Sequence, residues 1–311
     1  MDSITHVFLG GAIAAAIAPA SQRRAALLAG AVLNTLPDLD VLPLMLSQDP
    51  VVRMTWHRSA SHSLLVLPWV GLLLWLWFRR GGGRVSAAPV RWFWIFQCAL
   101  LSHPLIDAFT VYGTQLLWPL PVEPVMWSSL FIIDPLFTLP LVVACVLAWR
   151  WQGLRGTRVL AAGLALSCVY LGWSLVAKVR VDSAFGRALA TAGLADAPRF
   201  SVPMPFTTWR WRVVAMTPGG YVEGVRGVAE PASASILLHS HGFDATALAA
   251  ARSVPAVQRL LWFNRGFMRA DVVDGQLVLT DLRMGIDPDY FFRFAVATRD
   301  GAGWRAIPPR Q

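Results

Sequence analysis

A chain of 311 residues that is 56% hydrophobic and only 14% charged, with 15 tryptophans and a mean hydropathy of +0.52, reads as an integral membrane protein rather than a soluble enzyme. Its net charge of +9 could suggest nucleic acid, but the arginines fall in short clusters between apolar runs, with no basic stripe and no base-reading motif, so no nucleic-acid partner is expected. Cys98, Cys145 and Cys168 lie singly in apolar segments, as small buried hydrophobes do, and imply neither a disulfide nor a thiolate metal site.

The N-terminal "MDSITHVFLGG" starts with an acid, lacks the basic region of a signal peptide and carries a histidine, which predicts a retained first helix. Ile4 to Ala18 and Arg24 to Leu36 are short and rich in Ala and Gly, so they are expected to pack as a tight helical hairpin through small-residue contacts. Four longer apolar runs follow, at His62 to Phe78, Val90 to Thr110, Phe131 to Trp149 and Val159 to Lys178, each near the roughly 20 residues that cross a bilayer. "RR" at Arg23 and Arg24, "RRGGGR" from Arg79 and "RWQGLRGTR" from Arg150 occupy alternate loops, which the positive-inside rule assigns to the cytoplasm. Trp75, Trp77, Trp92, Trp94, Trp149 and Trp151 gather near the same span ends, as an aromatic belt would.

Beyond Lys178 the composition changes. "TWRWRVV", "QLVLTDL" and "YFFRFAVAT" alternate with the period of strands, "TPGG" and "DGQ" punctuate them, and Ala249 to Phe263 is the one amphipathic helix candidate. The expected architecture is a membrane α-helical bundle of about six segments over residues 1–180, followed by a small β-rich extramembrane domain over 181–311. With six segments, that domain and both termini lie on the outer face.

Four of the six histidines, His6, His57, His62 and His103, stand in the first third, each at or near a predicted helix end. The topology delivers them to one membrane face together with Asp38, Asp40 and Asp107. An ionisable group at the centre of a spanning helix costs roughly 2.5–3.5 kcal/mol, so such groups face a shared polar site or one another. His103 and Asp107 are four apart and share a helical face. Pro37 ends the second helix near Leu36 and leaves Asp38 and Asp40 in a non-helical stretch, where residues two apart can point the same way. His57 and His62 are five apart and straddle a loop and a helix start. Each feature alone has a plainer reading: a hydrogen-bonded histidine at His6, a polar turn at "PDLD", an interfacial anchor at His57, an interhelical pair at His103 and Asp107. Their coincidence on one face favours a metal site. Imidazoles and carboxylates without thiolates suit Zn²⁺ first and Mn²⁺ second, with enough ligands for one or two ions. "HSH" at His239 and His241 could be a further metal clip in an outer strand, or simply a solvated face.

Taken in order, "MDSITH", "LPDLDVL", "HRSASHS" and "SHPLIDAFTVYGTQLLWP" resemble the LexA-regulated, inner-membrane metal-dependent hydrolases, over about the first 140 residues. "DLRMG" at Asp281 to Gly285 is more weakly similar to the C-terminal part of longer members. The resemblance implies His6, Asp38, Asp40, His57, His62, His103 and Asp107 as metal-site positions, and Thr110, Tyr112 and Gly113 as an extension of the last motif, with Thr110 and Tyr112 on the substrate side. Ser61 stands where the family usually has Thr and keeps the hydroxyl. The HxxxD spacing is also similar to that of helical zinc-dependent phospholipases C, which points to phosphoester chemistry.

The expected function is a metal-dependent hydrolase of the bacterial inner membrane, acting at the periplasmic face on a lipid or lipid-linked phosphoester. Asp38 or Asp40 would take the proton of a metal-activated water, and His57 or Arg58 would steady the anionic transition state. The alternative is a divalent-cation binding protein or transporter without catalysis. An intramembrane protease ranks last, because HExxH is missing from the sequence.

Overall fold

Small residues allow the first two helices to touch backbone to backbone. The structure is a computed structural model that describes residues 1–151, 153–231, 234–301 and 303–311. In it α1 (Ser3–Ile17) and α2 (Arg23–Thr35) form the expected hairpin. A side-chain carbon on Gly30 would run into the Gly10 carbonyl and Ala14, and one on Gly10 into Asn34 and the Gly30 carbonyl. Pro37 then turns the chain into a 3₁₀ segment, Leu36–Asp40, which leads into the single turn α3 (Val41–Leu44). Asp49 caps the short α4 (Pro50–Trp56) by accepting from Val51 N and Val52 N. A second 3₁₀ turn, Ala60–His62, precedes α5 (Leu67–Arg80), α6 (Gly83–Ala87), α7 (Pro89–Asp107), α8 (Pro135–Arg150) and the 39-residue α9 (Gly153–Thr191).

The two ends of this bundle differ in chemistry. At one end Arg23 donates to the Gly153 carbonyl and Thr157, Arg24 to the Trp149 carbonyl, and Trp92 to Gln22. At the other end gather Thr5, His6, Asn34, His103, Asp107 and Asp134, all buried. The hydrophobic interior between them is built from Leu9, Ala12, Leu141, Ala144 and Leu160 on one side and Leu33, Ile95, Phe96 and Leu100 on the other.

Six membrane crossings are not supported. Ala20–Leu44 and Gly153–Thr191 are long and apolar enough to span, and a third span results if Pro50–His62 and Leu67–Arg80, bent by 56° at their break, count together. α1 and α8 have 15 and 16 residues, or about 22–24 Å against a hydrocarbon core of about 30 Å. The polar side chains of α7, Arg91, Gln97, His103 and Asp107, dilute its apolar character. The run read as starting at His62 begins instead at Leu67, because His62 and Ser63 are held in a turn that pairs with the 113–118 loop. Cys145 is buried, Cys98 is intermediate and Cys168 is exposed on α9, so that cysteine does not sit in the interior as expected.

α9 runs unbroken through residue 180, so the expected domain boundary falls inside a helix, and strands begin only at Arg199. β1 (Arg199–Pro203), β2 (Arg210–Thr217), β3 (Gly220–Gly227) and β4 (His239–Gly242) form one antiparallel sheet in that order. Next come α10 (Ala245–Ala250) and α11 (Pro255–Phe263). The single helix expected over Ala249 to Phe263 is therefore divided, because Pro255 has no N–H to continue a helix and starts a new one instead. β5 (Met268–Val273), β6 (Gln276–Asp281), β9 (Arg293–Asp300) and β10 (Gly303–Arg310) make the second sheet, ordered β10-β9-β6-β5, with β7 (Gly285–Ile286) and β8 (Asp289–Tyr290) as a separate ribbon. Buried Arg212 ties the sheets together by donating to Glu223 and to the Leu282 carbonyl. The C-terminal part of α9 packs Val181 and Phe185 against Trp211 and Val213.

A Gly30→Val substitution should force α1 and α2 apart at a cost of about 1–3 kcal/mol, as overpacking of an interior does. A lowered thermal midpoint of the detergent-solubilised protein checks this, and an unchanged midpoint would mean that the helices do not touch there.

Candidate metal centre

Four segments meet at the polar end of the bundle. α1 supplies His6, the 3₁₀ turn after α2 supplies Asp38 and Asp40, the 57–62 segment after α4 supplies His57, Arg58 and His62, and the last turn of α7 supplies His103 and Asp107. Among the described residues, Asp38, His62, His103 and Asp107 bring one ligand atom each within 4.8 Å of all the others. His62 Nε2 lies 3.0 Å from His103 Nε2, 3.5 Å from Asp38 Oδ1 and 3.3 Å from Asp107 Oδ2. His103 Nε2 lies 3.3 Å from Asp38 Oδ1 and 3.5 Å from Asp107 Oδ2. Zinc–ligand bonds of about 2.0–2.2 Å set tetrahedral donor atoms about 3.3–3.6 Å apart, so these spacings suit a small divalent ion.

The protons in the centre can be placed from the partners. Asn34 Nδ2 donates to the Ala99 carbonyl at 2.6 Å and to Ser102 at 2.8 Å, so Asn34 Oδ1 must accept, and His6 Nδ1 donates to it at 3.1 Å. His103 Nδ1 meets the Asn34 main-chain carbonyl, which can only accept. Ser61 gives its proton to Asp40 Oδ2, so it accepts from His62 Nδ1 at 2.9 Å. His57 Nδ1 donates to Asp40 Oδ1 at 2.8 Å. All four rings therefore spend the Nδ1 proton on an outer partner, and His6, His62 and His103 turn Nε2 toward the carboxylates, the arrangement of metal-binding histidines. Two ring nitrogens 3.0 Å apart, with carboxylate oxygens around them, suit a shared positive charge, either a proton on one imidazole or a metal ion between them. Among the described residues, His6 Nε2, Asp38 Oδ1 and Asp107 Oδ2 are buried without a hydrogen-bond partner, which fits the same need.

The remaining expected residues stand around this group. His6 stacks on His103 with ring centres 3.7 Å apart and lies 3.3 Å from Asp107 Oδ1, which also accepts from the Met1 amino group. Asp40 is outside the four-atom set and is occupied by His57, Ser61 and the Arg58 main-chain N–H. Arg58, at φ 63 in the left-handed region, is buried, with Nε 3.1 Å from Asp107 Oδ2 and Nη1 donating to Thr110. Such a backbone costs about 1–3 kcal/mol for a residue other than glycine and persists where its surroundings fix it. Thr110 and Tyr112 are themselves buried around Arg58, whose guanidinium lies 4.9 Å from the Tyr112 ring centre. Burial raises the Tyr112 phenol well above its ordinary range, so it remains a donor, to the Met54 carbonyl at 2.9 Å. Gly113, at φ 102, turns the chain where a side-chain carbon would press on Pro124 and Arg283.

Sequence reasoning overlooked Asn34, which orients two histidines at once. The available signal was an amide alone in an apolar helix, a group that must find partners inside the protein. His239 and His241 are not in the cluster. His239 is exposed, and His241 stacks on Tyr221 and lies 3.3 Å from Glu223.

A helical bundle with a buried histidine and carboxylate cluster at one end, able to hold a metal ion, and with a β-rich C-terminal domain, defines a class of membrane protein. The chain belongs to the YdjM inner membrane protein family, whose model matches residues 1–181. No curated protein and no solved structure matches it.

Replacing Asn34 by Ala removes the acceptor for His6 Nδ1 while leaving all the candidate ligands in place. Zinc affinity, measured by competition with a chelator, should fall about 10–100-fold, as it does when outer-shell partners are lost.

Proposed function

We propose that this protein is a metal-dependent hydrolase of the bacterial inner membrane that cleaves a lipid or lipid-linked phosphoester at the outer leaflet. The observation that carries the reading is the buried set of inward Nε2 lone pairs and carboxylate oxygens, with each histidine proton committed outward. A divalent ion, with zinc the best fit, supplies Lewis acidity and brings the pKa of a water to near 7 when bound in such a site. His62, His103, Asp38 and Asp107 are the residues that would hold it, with His6 beside Asp107 as a further ligand.

The chain's own residues then divide the remaining work. His57 is about one-fifth exposed, and with its Nδ1–H anchored on Asp40 its Nε2 is the nitrogen that would take the proton of an attacking water. Asp40, already accepting from three groups, fixes the tautomer of His57 and is a poor proton acceptor itself. Asp38 faces His62 and His103 and suits ligation better than base catalysis. Arg58 is turned toward Asp107 and Thr110, where it offsets the charge of the carboxylate and holds its position. A lipid substrate is favoured by the rim: Leu39, Val41, Leu42, Met45 and Leu46, next to Asp38, are exposed. The outer leaflet is favoured by the arginines at the opposite end of the bundle.

One observation favours a second reading, metal binding without catalysis. Four protein donors at tetrahedral spacing describe a closed site, whereas catalytic zinc keeps one position open.

Elemental analysis of the detergent-purified protein, paired with a mass-spectrometric screen of phospholipid hydrolysis, separates the two. Wild type should carry stoichiometric metal, and His103→Ala and Asp38→Asn should lose both metal and activity. His57→Ala should keep the metal and lose about 10²–10⁴-fold in rate, the usual contribution of a general base. Full metal content with no phosphoester cleaved by wild type would leave the second reading standing.

A further inference from the structure

His57 and Arg58 enter the centre from the end of α4, a helix of seven residues. Helices this short do not hold themselves in water and depend on packing. The last four carbonyls of a helix lack partners within it, and at α4 all four are satisfied. Those of Arg53 and Trp56 accept from His57 N and Ser59 N. That of Met54 accepts from Tyr112, and that of Thr55 from Gln115 Nε2 at 2.7 Å and from Arg259 Nη2 at 3.1 Å. Arg259 Nε also donates to Thr55 Oγ1 at 3.0 Å.

Arg259 belongs to α11 of the C-terminal domain, beyond the residues that the family model matches. Its guanidinium lies 4.4 Å from the Trp262 ring centre and 5.7 Å from that of Trp56, which limits its freedom. Beneath it, Val51 and Met54 of α4 share one hydrophobic core with Tyr112 and with Val257, Leu260 and Phe263 of α11. Tyr112 continues the chain of contacts, with its ring edge-on to His57 at 5.6 Å and to Phe263 at 5.7 Å.

We propose that Arg259 is a positioning residue for the metal centre: through Thr55 it fixes the end of α4, so the docked C-terminal domain sets the direction in which His57 and Arg58 enter. The domain acts as a clamp on the short helix that leads into His57 and Arg58. The inference concerns backbone geometry and rests on the metal reading only for its second readout.

The test uses the full-length protein in detergent, as wild type, Arg259→Ala, Arg259→Lys and the surface control Arg305→Ala. Hydrogen–deuterium exchange of the metal-free protein should show uptake across residues 54–63 rising about tenfold in Arg259→Ala, since local opening follows the hydrogen bonds lost. Uptake in β2, β3 and α7 should stay as in wild type, Arg259→Lys should fall between, and Arg305→Ala should match wild type. The visible absorption of bound Co²⁺, which reports ligand geometry, should change in Arg259→Ala and not in Arg305→Ala. Unchanged uptake across 54–63, a rise spread equally over the whole domain, or an unaltered Co²⁺ spectrum would each overturn the proposal. If Arg259→Ala does not fold, Arg259→Gln decides by the same exchange pattern. Failure of wild type to bind Co²⁺ would count against the metal reading, and the exchange result would then decide this inference by itself.

Discussion

Acceptors facing acceptors is the constraint on which the membrane-end architecture depends. Each imidazole of the centre gives its Nδ1 proton to an outer partner, and what remains inside is lone pairs and carboxylate oxygens. Burying such a set without positive charge is unfavourable, and removing one partner leaves the others exposed to one another in a medium of low polarity. Arg58 and the Met1 amino group, both against Asp107, supply part of the compensation, and a divalent ion would supply more. The left-handed backbone of Arg58 and the packing of Thr110 and Tyr112 around it hold one guanidinium beside Asp107.

Asn34 shows how one residue can organise such a site. It sits in the last turn of α2, where the approaching Pro37 ends the regular helix. Its main-chain carbonyl receives His103, its side-chain carbonyl receives His6, and its amide nitrogen is satisfied by α7 through Ala99 and Ser102. The small-residue contact between Gly10 and Gly30 brings α1 close enough for this, since a side chain at either position would push His6 away from Asn34. Backbone proximity in the hairpin and proton placement in the centre are thus one design.

Much of this was legible in residue order. The break at Pro37, the helical spacing of His103 and Asp107, the small residues of the hairpin and the alternation of β2, β6 and β9 all act locally, and local patterns survive into the fold. Distances between segments were not legible. Nothing in "LPDLD" distinguishes Asp38, which faces His62 and His103, from Asp40, which supports His57 and Ser61, because that division depends on where the 57–62 segment passes. Thr110 and Tyr112 looked like substrate residues because they continue a motif, yet their side chains turn inward to Arg58. The count of spans was overstated because apolar character was read without the short length of α1, the start of α8 at Pro135 and the polar side chains of α7. Arg259 lies 204 residues from its partner Thr55, a separation at which one sequence carries no pairing signal.

α9 has a further consequence. Its 39 residues extend about 58 Å, nearly twice the thickness of a bilayer's hydrocarbon core. This helix, long and apolar enough to cross a membrane, is the same rod that carries Val181, Phe185 and Leu189 into the sheets. Helix and domain have no slack tether between them, so the reach of the C-terminal domain is set by a ruler of fixed length. A tilt of that rod, as a thicker or thinner bilayer would impose, must be taken up where the domain rests on α4.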